Sequence, residues 1–376
     1  MSEVEVIVIG GGIAGVSVGY ELAKSKRTVV LERESRGDFH ATGRNAACFA
    51  QNYGPPIVRR LTAASRSFME QPPSDFAGAA LLSPRGILTL APKAQRDTLD
   101  QALAVASELG SPMERIGMDE ASRLLPPLRG GFAETAAFDR LNQDIDVSLL
   151  YQSYLQGYLK RGGAFHTSVE IGTIEAHGKG WRVRTAEGTL EAPVLVNAAG
   201  AWGDQVAALA GVPPVGLVAY RRTAFTFSAA DWREEHASWP MFKDADETFY
   251  CKPFERGYFA SPAEAIPEPP GDAQATQADV DATISRIQEA ADLPVNEVTR
   301  YWAGLRTFSP DKAPVVGSDP DAPGFFWLVG QGGYGIKTAP ALAKITSALI
   351  QKGEWPALAS QHGLAEQELS VTRLRS

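Results

Sequence analysis

The chain has 376 residues, 44% apolar and 21% charged, the balance of a soluble globular protein long enough for two domains. A formal charge of -8 with scattered basic residues argues against a nucleic-acid partner, and no apolar run approaches the ~20 residues of a bilayer span. Two cysteines, Cys48 and Cys251, and five scattered histidines offer neither a disulfide framework nor a metal site, so no metal is expected. The first residues, "MSEVEVIVIG", lack the basic start and cleavage site of a leader, and "TRLRS" at the other end is no address signal, so a cytoplasmic location is expected.

In chain order, Val4–Ile9 reads as a buried strand, Ile13–Lys24 as a helix and Arg27–Leu31 as a second buried strand, a βαβ unit with a short connection. "GPPIVRRLTAASRSFME" from Gly54 reads as a helix with prolines at its start. "GILTLAP" follows as β structure and "DTLDQALAVASELG" as helix. "DVSLLYQSYLQGYLKRGG" is a helix with Asp146 as its N-cap and Gly162 and Gly163 as its stop. A meander punctuated by "HGKG" and "AEG" then leads to the apolar run "PVLVNAAG". Between residues 215 and 300 the pattern alternates as in half-exposed antiparallel strands, interrupted by the proline-rich "SPAEAIPEPPGD". "FFWLVG" restores buried-strand character, and a helix from Ile336 to Ile350 closes the regular structure. The fold class expected is therefore α/β: a Rossmann-like nucleotide domain built from separated pieces, with a second, largely antiparallel domain between them. The boundaries read as 1–78, 140–214 and 307–376 for the first and 79–139 and 215–306 for the second.

Two glycine clusters carry the chemistry. In the first, Gly10-x-Gly12-x-x-Gly15 joins the first strand to the first helix. Gly10 permits the tight turn, Gly12 lets the backbone approach a pyrophosphate, and Gly15 lets helix pack on sheet. The N–H groups of Ile13 and Ala14 open the helix towards the phosphates. Glu32, with Arg33 beside it, ends the second strand where a carboxylate accepts from ribose hydroxyls, which disfavours a 2′-phosphate. This cluster alone does not choose between FAD and NAD. The second cluster, "GQGGYGIKTAPAL", does. A flavin's pyrimidine end takes negative charge on reduction, and a second helix N-terminus there stabilises it. Gly332, Gly333 and Gly335 allow close backbone approach, and Tyr334, Ile336 and Lys337 stand at the helix start.

With "ATGRNAA" at 41–47, "VLVNAAGAWGD" at 194–204 and "YWAGLRTFSPDKAPVVG" at 301–317, the chain resembles the D-amino acid oxidase-like flavoenzymes over essentially its whole length. Within that family "HATGRNAA", "LTAASR", "LLSPR" and "WAGLR" bring it nearest to the D-arginine dehydrogenase-like members. The resemblance implies noncovalent FAD, since the C-terminal glycine-rich loop lacks the cysteine through which some members attach flavin. It places Thr42, Gly43, Arg44, Asn45, Ala46 and Ala47 along the pyrophosphate and flavin ring. It places Val169 at the adenine, and Ala199, Gly200 and Trp202 beside the cofactor.

The implied activity is oxidation of a D-amino acid by hydride transfer from Cα to flavin N5. The imine then hydrolyses to a 2-keto acid and ammonia. The partners are the substrate and an electron acceptor such as oxygen or a quinone. Such chemistry needs positioning more than a protein base. Arg306 in "WAGLRTF" is the candidate to hold the substrate carboxylate, because a guanidinium offers two parallel hydrogen bonds. Arg222 in "AYRRTAF" is the second candidate, and strand alternation leaves open whether it or Arg221 points inward. Tyr53, Tyr250 and Tyr334 match pocket positions of the family. At Cys48 and Ile87, however, arginine-active members carry a histidine and an acid. Neutral, apolar side chains are therefore expected in preference to D-arginine, unless another acid such as Asp244 or Glu247 reaches in. The alternatives are a secondary-amine or 2-hydroxy acid oxidoreductase, a flavin-binding protein without turnover, and an NAD dehydrogenase.

Overall fold

The computed structural model describes residues 3–375, and two sheets dominate it. The first has six strands, in the order Val315–Ser318, Phe325–Val329, Val194–Asn197, Val6–Ile9, Thr28–Leu31 and Ala164–His166. Every neighbouring pair is parallel except the outer pair Val315–Ser318 and Phe325–Val329. Strands buried on both faces need continuous apolar runs, which is why VIVI, TVVL and FFWLV are read so easily. Helices Ile13–Leu22, Val147–Lys160 and Gly335–Lys352 pack with Pro56–Glu70 in the core on one face. A three-stranded meander, Ile171–His177, Gly180–Thr185 and Gly188–Ala192, supplies core on the other. This is the expected Rossmann-like domain. Its first strand and helix are both two residues shorter than the sequence pattern implies, being Val6–Ile9 and Ile13–Leu22. The helix expected from Gly54 starts at Pro56, because the backbone at Gly54 has a φ of +108°.

The second sheet is large and mostly antiparallel. Its order runs from the short Gln331–Gly332 through Glu297–Phe308, Val218–Ser228, Gly257–Ser261, Tyr250–Phe254, Met241–Asp244, Ile87–Ala91 and Thr135–Asp139 to Glu114–Ile116. Met241–Asp244 and Ile87–Ala91 form its parallel pair. The chain passes from Phe325–Val329 in the first sheet to Gln331–Gly332 in the second with only Gly330 between them, at a φ of +73°. Asp146 caps its helix as expected, its carboxylate accepting from the Leu149 N–H at 2.8 Å.

Beyond short helices such as Gly203–Leu209 and Ala357–Gln361, one long helix escapes the sequence reading. Gln277–Ala290 lies inside the region read as strands and loop, capped by the Thr276 side chain. Its buried positions, Val280, Thr283, Ile287 and Ala290, follow the helical period, but two of the four are small or polar and the apolar stripe is faint. Among the described residues no helix is long and apolar enough to cross a membrane.

Candidate active site

A cavity of about 800 Å³ runs between the two sheets. One end begins at Glu32, Arg33 and Val169; the other reaches Ile87, Met241 and Met113 in the large sheet and its flank. At the first end the glycine cluster behaves as its spacing predicts. A side chain at Gly10 would put Cβ 2.5 Å from the Ala198 carbonyl oxygen, and one at Gly15 would put it 1.8 Å from that of Gly10. Gly10 and Gly12 line the cavity, whereas Gly15 lies behind the wall and serves helix packing. The Glu32 carboxylate accepts from the Gly11 N–H at 2.6 Å and from the Glu34 N–H at 2.8 Å, which fixes it at the rim with lone pairs to spare. Val169 donates its own N–H to Glu32 O, leaving its carbonyl for a ligand.

Several side chains here are spent differently from expectation. The Ile13 N–H is taken by Thr42 Oγ1 at 3.0 Å, so Ala14 is the cavity-lining helix residue whose N–H remains free for a phosphate. Arg44 donates to Phe39 O and Ala303 O, both at 3.0 Å, and pairs with Asp272 at 2.7 Å. Its charge therefore ties the loop to the large sheet, and only the rest of the residue is left to face a cofactor. Gly43 lies off the wall, pressed against the Asp38 carbonyl, while Asn45 turns its amide back to Thr42 O. Thr42, Asn45, Ala46, Ala47, Ala199, Gly200 and Trp202 do line the cavity. Arg33 stacks on Trp202 at 4.6 Å, and His40, which the sequence reading missed, stands at 4.6 Å on the same ring.

At the middle of the cavity the second cluster arrives with Gly332, Gly333, Gly335, Ile336 and Lys337. The Lys337 side chain was not anticipated. It is buried, and its Nζ donates to the carbonyls of Ala50 and Tyr53, both at 2.7 Å. Burial without a carboxylate partner pulls its pKa from 10.5 down to about 7. Tyr334 backs the wall instead of lining it: its ring packs at 5.6 Å against Tyr53 and at 6.1 Å against Phe308, with the Arg306 guanidinium 5.8 Å and the Lys337 amine 5.3 Å from its centre.

Beyond this point lie Arg306, Arg222, Tyr53, Tyr250, Cys48 and Ile87, all on the wall. Arg306 and Arg222 come from paired strands, with Tyr220 opposite Arg306 and Gly304 opposite Arg222. The open choice between the two neighbouring arginines is resolved. Arg221 points away and pairs with Asp279 at 2.7 Å, while Arg222 faces the cavity and donates to Glu264 O at 2.6 Å. Arg306 has no carboxylate within salt-bridge reach among the described residues. Its guanidinium lies against the backbone of Gly333, where a Cβ would fall 1.7 Å from Nη2. That glycine is therefore small for the arginine's sake. Burial pushes the Tyr250 hydroxyl up in pKa, against the pull of Arg222, so it stays a donor at neutral pH. Burial likewise raises the Cys48 thiol, which is not a thiolate.

The acids foreseen as rivals to the Ile87 argument divide. Asp244 is structural: it accepts from the Thr248 N–H at 2.7 Å and from Gln95 at 2.8 Å. Glu247 does line the cavity, paired with Lys243 at 2.5 Å. Burial works to raise its carboxyl, but Lys243, Arg222 and Arg306 outweigh that and hold it below the usual range. Asp139, unforeseen, sits directly across the ladder from Ile87 and also lines the cavity. It accepts from Asn52 and from the Leu141 N–H, both at 3.1 Å, and burial raises its carboxyl.

A parallel sheet with a glycine-bounded helix N-terminus at its edge, opening into a long cavity that ends on an antiparallel wall, defines a dinucleotide-binding protein with a substrate chamber. The chain belongs to the family described as FAD dependent oxidoreductase, whose sequence pattern matches residues 5–349. Human mitochondrial dimethylglycine dehydrogenase is 23% identical over 94% of this chain, which spans only 43% of that protein's length. Glycine oxidase from Geobacillus kaustophilus is 21% identical over 93% of both chains. The fold matches that enzyme's crystal structure with a TM-score of 0.83 at 19% identity, covering 97% of this chain and 99% of the other. It matches L-proline dehydrogenase from P. horikoshii with 0.82 at 20% identity, over 97% and 99%. The cofactor is FAD, and the residues present fit it: Gly10 and Gly12 leave the room a pyrophosphate needs, Glu32 stands at the ribose position, and the cavity continues unbroken to a second helix N-terminus.

Proposed function

We propose that the protein oxidises the C–N bond next to a carboxylate, in a D-amino acid with a non-cationic side chain. The observation that carries this reading is Arg306, a guanidinium on the wall of a half-enclosed chamber with no carboxylate within salt-bridge reach among the described residues. An unpaired cation of that kind costs several kcal/mol unless an anionic ligand completes it. Arg222 on the adjacent strand and the protonated hydroxyl of Tyr250 add donors around the same carboxylate. Bound at the glycine cluster and Glu32, FAD would supply the acceptor for the hydride of the α-carbon. The protein's part is to hold the carboxylate, orient the α-carbon and keep water from the reacting bond. Lys337, about half protonated at pH 7, tethers the loop of Ala50 and Tyr53 and adds less than a full charge to the chamber.

A second reading is supported by the relatives: N-alkyl amino acids, as the names dimethylglycine dehydrogenase and L-proline dehydrogenase suggest. Arg306 would hold the carboxylate of either substrate class. Anaerobic mixing of the holoenzyme with D-, L- and N-methyl amino acids, followed by flavin bleaching, separates them. Bleaching by D-amino acids alone supports the first reading, and bleaching by N-alkyl compounds alone supports the second. A flavin that no carboxylate-bearing amine bleaches refutes both.

A further inference from the structure

The charges in the chamber do not balance for a simple amino acid. Around its substrate end stand five cationic side chains, Arg59, Arg222, Lys243, Arg306 and Lys337, against two carboxylates, Glu247 and Asp139. Most of these have partners already. Lys243 is neutralised by Glu247 at 2.5 Å, and Lys337 rests on two carbonyl oxygens. Arg222 donates to Glu264 O and has the charge of Glu264 nearby. Asp139 is occupied by Asn52 and a backbone N–H. Two guanidiniums are left over, Arg306 and Arg59.

Resting on the reading above, the α-carboxylate completes Arg306, and nothing in an amino acid with an apolar side chain completes Arg59. Arg59 sits in the first turns of helix Pro56–Glu70 and is half-buried. Its Nε has lost all contact with solvent and has no hydrogen-bond partner. Among the described residues it makes no ion pair; the acidic groups whose fields reach it are the Tyr334 hydroxyl and then Glu108, in the last turn of helix Arg96–Glu108. That helix lines the same chamber with Gln101, Ala102 and Val105. Arg59, Arg306 and Lys337 all line this one chamber. A guanidinium with a buried, unpartnered Nε and no ion pair is a cost that a protein carries where a ligand supplies the anion.

We propose that the substrate carries a second anionic group, held by Arg59, so that the preferred substrate is a dicarboxylic amino acid. The donor set suits a carboxylate: a planar fork facing a half-enclosed chamber can take it bidentately. The acids expected to welcome a cationic side chain are already occupied, and Ile87 adds none.

The test is anaerobic reduction of the holoenzyme by D-aspartate, D-glutamate and iminodiacetate beside their singly charged counterparts D-alanine, D-norvaline and sarcosine. At least one dicarboxylate is expected to reduce the flavin with a kcat/KM roughly tenfold or more above its counterpart, the worth of one charge-assisted hydrogen bond. In Arg59→Gln that ratio is expected to collapse towards one, and Arg59→Lys is expected to restore part of it. Monocarboxylates outperforming every dicarboxylate in the unmodified enzyme overturn the proposal whether or not the variants fold. So does an Arg59→Gln enzyme that loses equally on both kinds of substrate. Failure of every compound to bleach the flavin instead refutes the amine-oxidation reading on which the proposal rests.

Discussion

Gly333→Ala isolates the geometry of the substrate arginine without touching a charge. A methyl group there would lie 1.7 Å from Nη2, 2.0 Å from Nε and 2.1 Å from Cζ of Arg306, where ordinary contact begins at 3.4 Å. The guanidinium must withdraw by more than an ångström, which takes both parallel hydrogen bonds beyond the range of N–H···O contact. Gly333 does not have the positive φ of its neighbour Gly332, so alanine strains no backbone and the helix from Gly335 keeps its start. Losing the completed charge pair is worth about 3–5 kcal/mol, which converts to a fall in kcat/KM of roughly 10²- to 5 × 10³-fold. The assay is steady-state kinetics on whichever amino acid bleaches the flavin, with FAD content and Tm as controls for folding. A cycle with Arg306→Ala decides the cause. If the methyl acts through the guanidinium, Gly333→Ala costs nothing further once Arg306 is gone. Equal losses in both backgrounds, or a single variant within threefold of the parent, refute the reasoning.

Three other perturbations have expected outcomes. Acid precipitation should leave a colourless pellet and a yellow supernatant, as noncovalent FAD requires; colour retained by the pellet means a covalent link. Lys337→Met should remove a titration near pH 7 from the pH profile of kcat/KM, because burial holds that amine at about 7 instead of 10.5. The same substitution bears on stability. Between pH 7 and 10.5 the unfolded lysine binds more protons than the folded one, so the parent gains stability as pH rises through that window and the variant does not. Parallel stability curves across those pH values would count against the shift. Ile87→Glu should raise kcat/KM for D-arginine relative to D-norvaline by roughly tenfold or more, since it adds a carboxylate beside Asp139 on the chamber wall; an unmodified enzyme that already prefers D-arginine would contradict the reading of position 87.

What the sequence made legible is local. Gly10, Gly12 and Gly15 must be glycine because backbone crosses backbone within a single βαβ unit, and such a constraint prints directly as spacing. Glu32 follows from the same unit. The lining positions Arg306, Arg222, Tyr53, Tyr250, Cys48 and Ile87 came from resemblance rather than from spacing, since strands far apart in sequence assemble that wall. The misses are side chains whose meaning depends on distant partners. Arg44 looks like a cofactor contact until Asp272 and the Ala303 carbonyl claim it from the other sheet. Lys337 looks like a backbone donor until Ala50 and Tyr53 present their carbonyls. Arg59 looks like one more polar position of an amphipathic helix until its missing partner is noticed. Tyr334, read as a pocket residue, stands one layer back, its ring against Tyr53 and 5.8 Å from the Arg306 guanidinium.

Gly330 fixes how the chamber can breathe. One residue separates a strand of the cofactor sheet from a strand of the substrate sheet, so the two sheets meet there as a welded corner with no slack to serve as a hinge. Wide separation of the sheets at that corner would break ladder hydrogen bonds on both sides of it, and traffic into the chamber has to use a looser boundary. The roof is that boundary: helix Arg96–Glu108 buries only Leu99 and Ala106 of its thirteen residues. Amide exchange should therefore be slow across 325–332 and fast across 96–108, and ligand binding should protect the roof while leaving the corner unchanged.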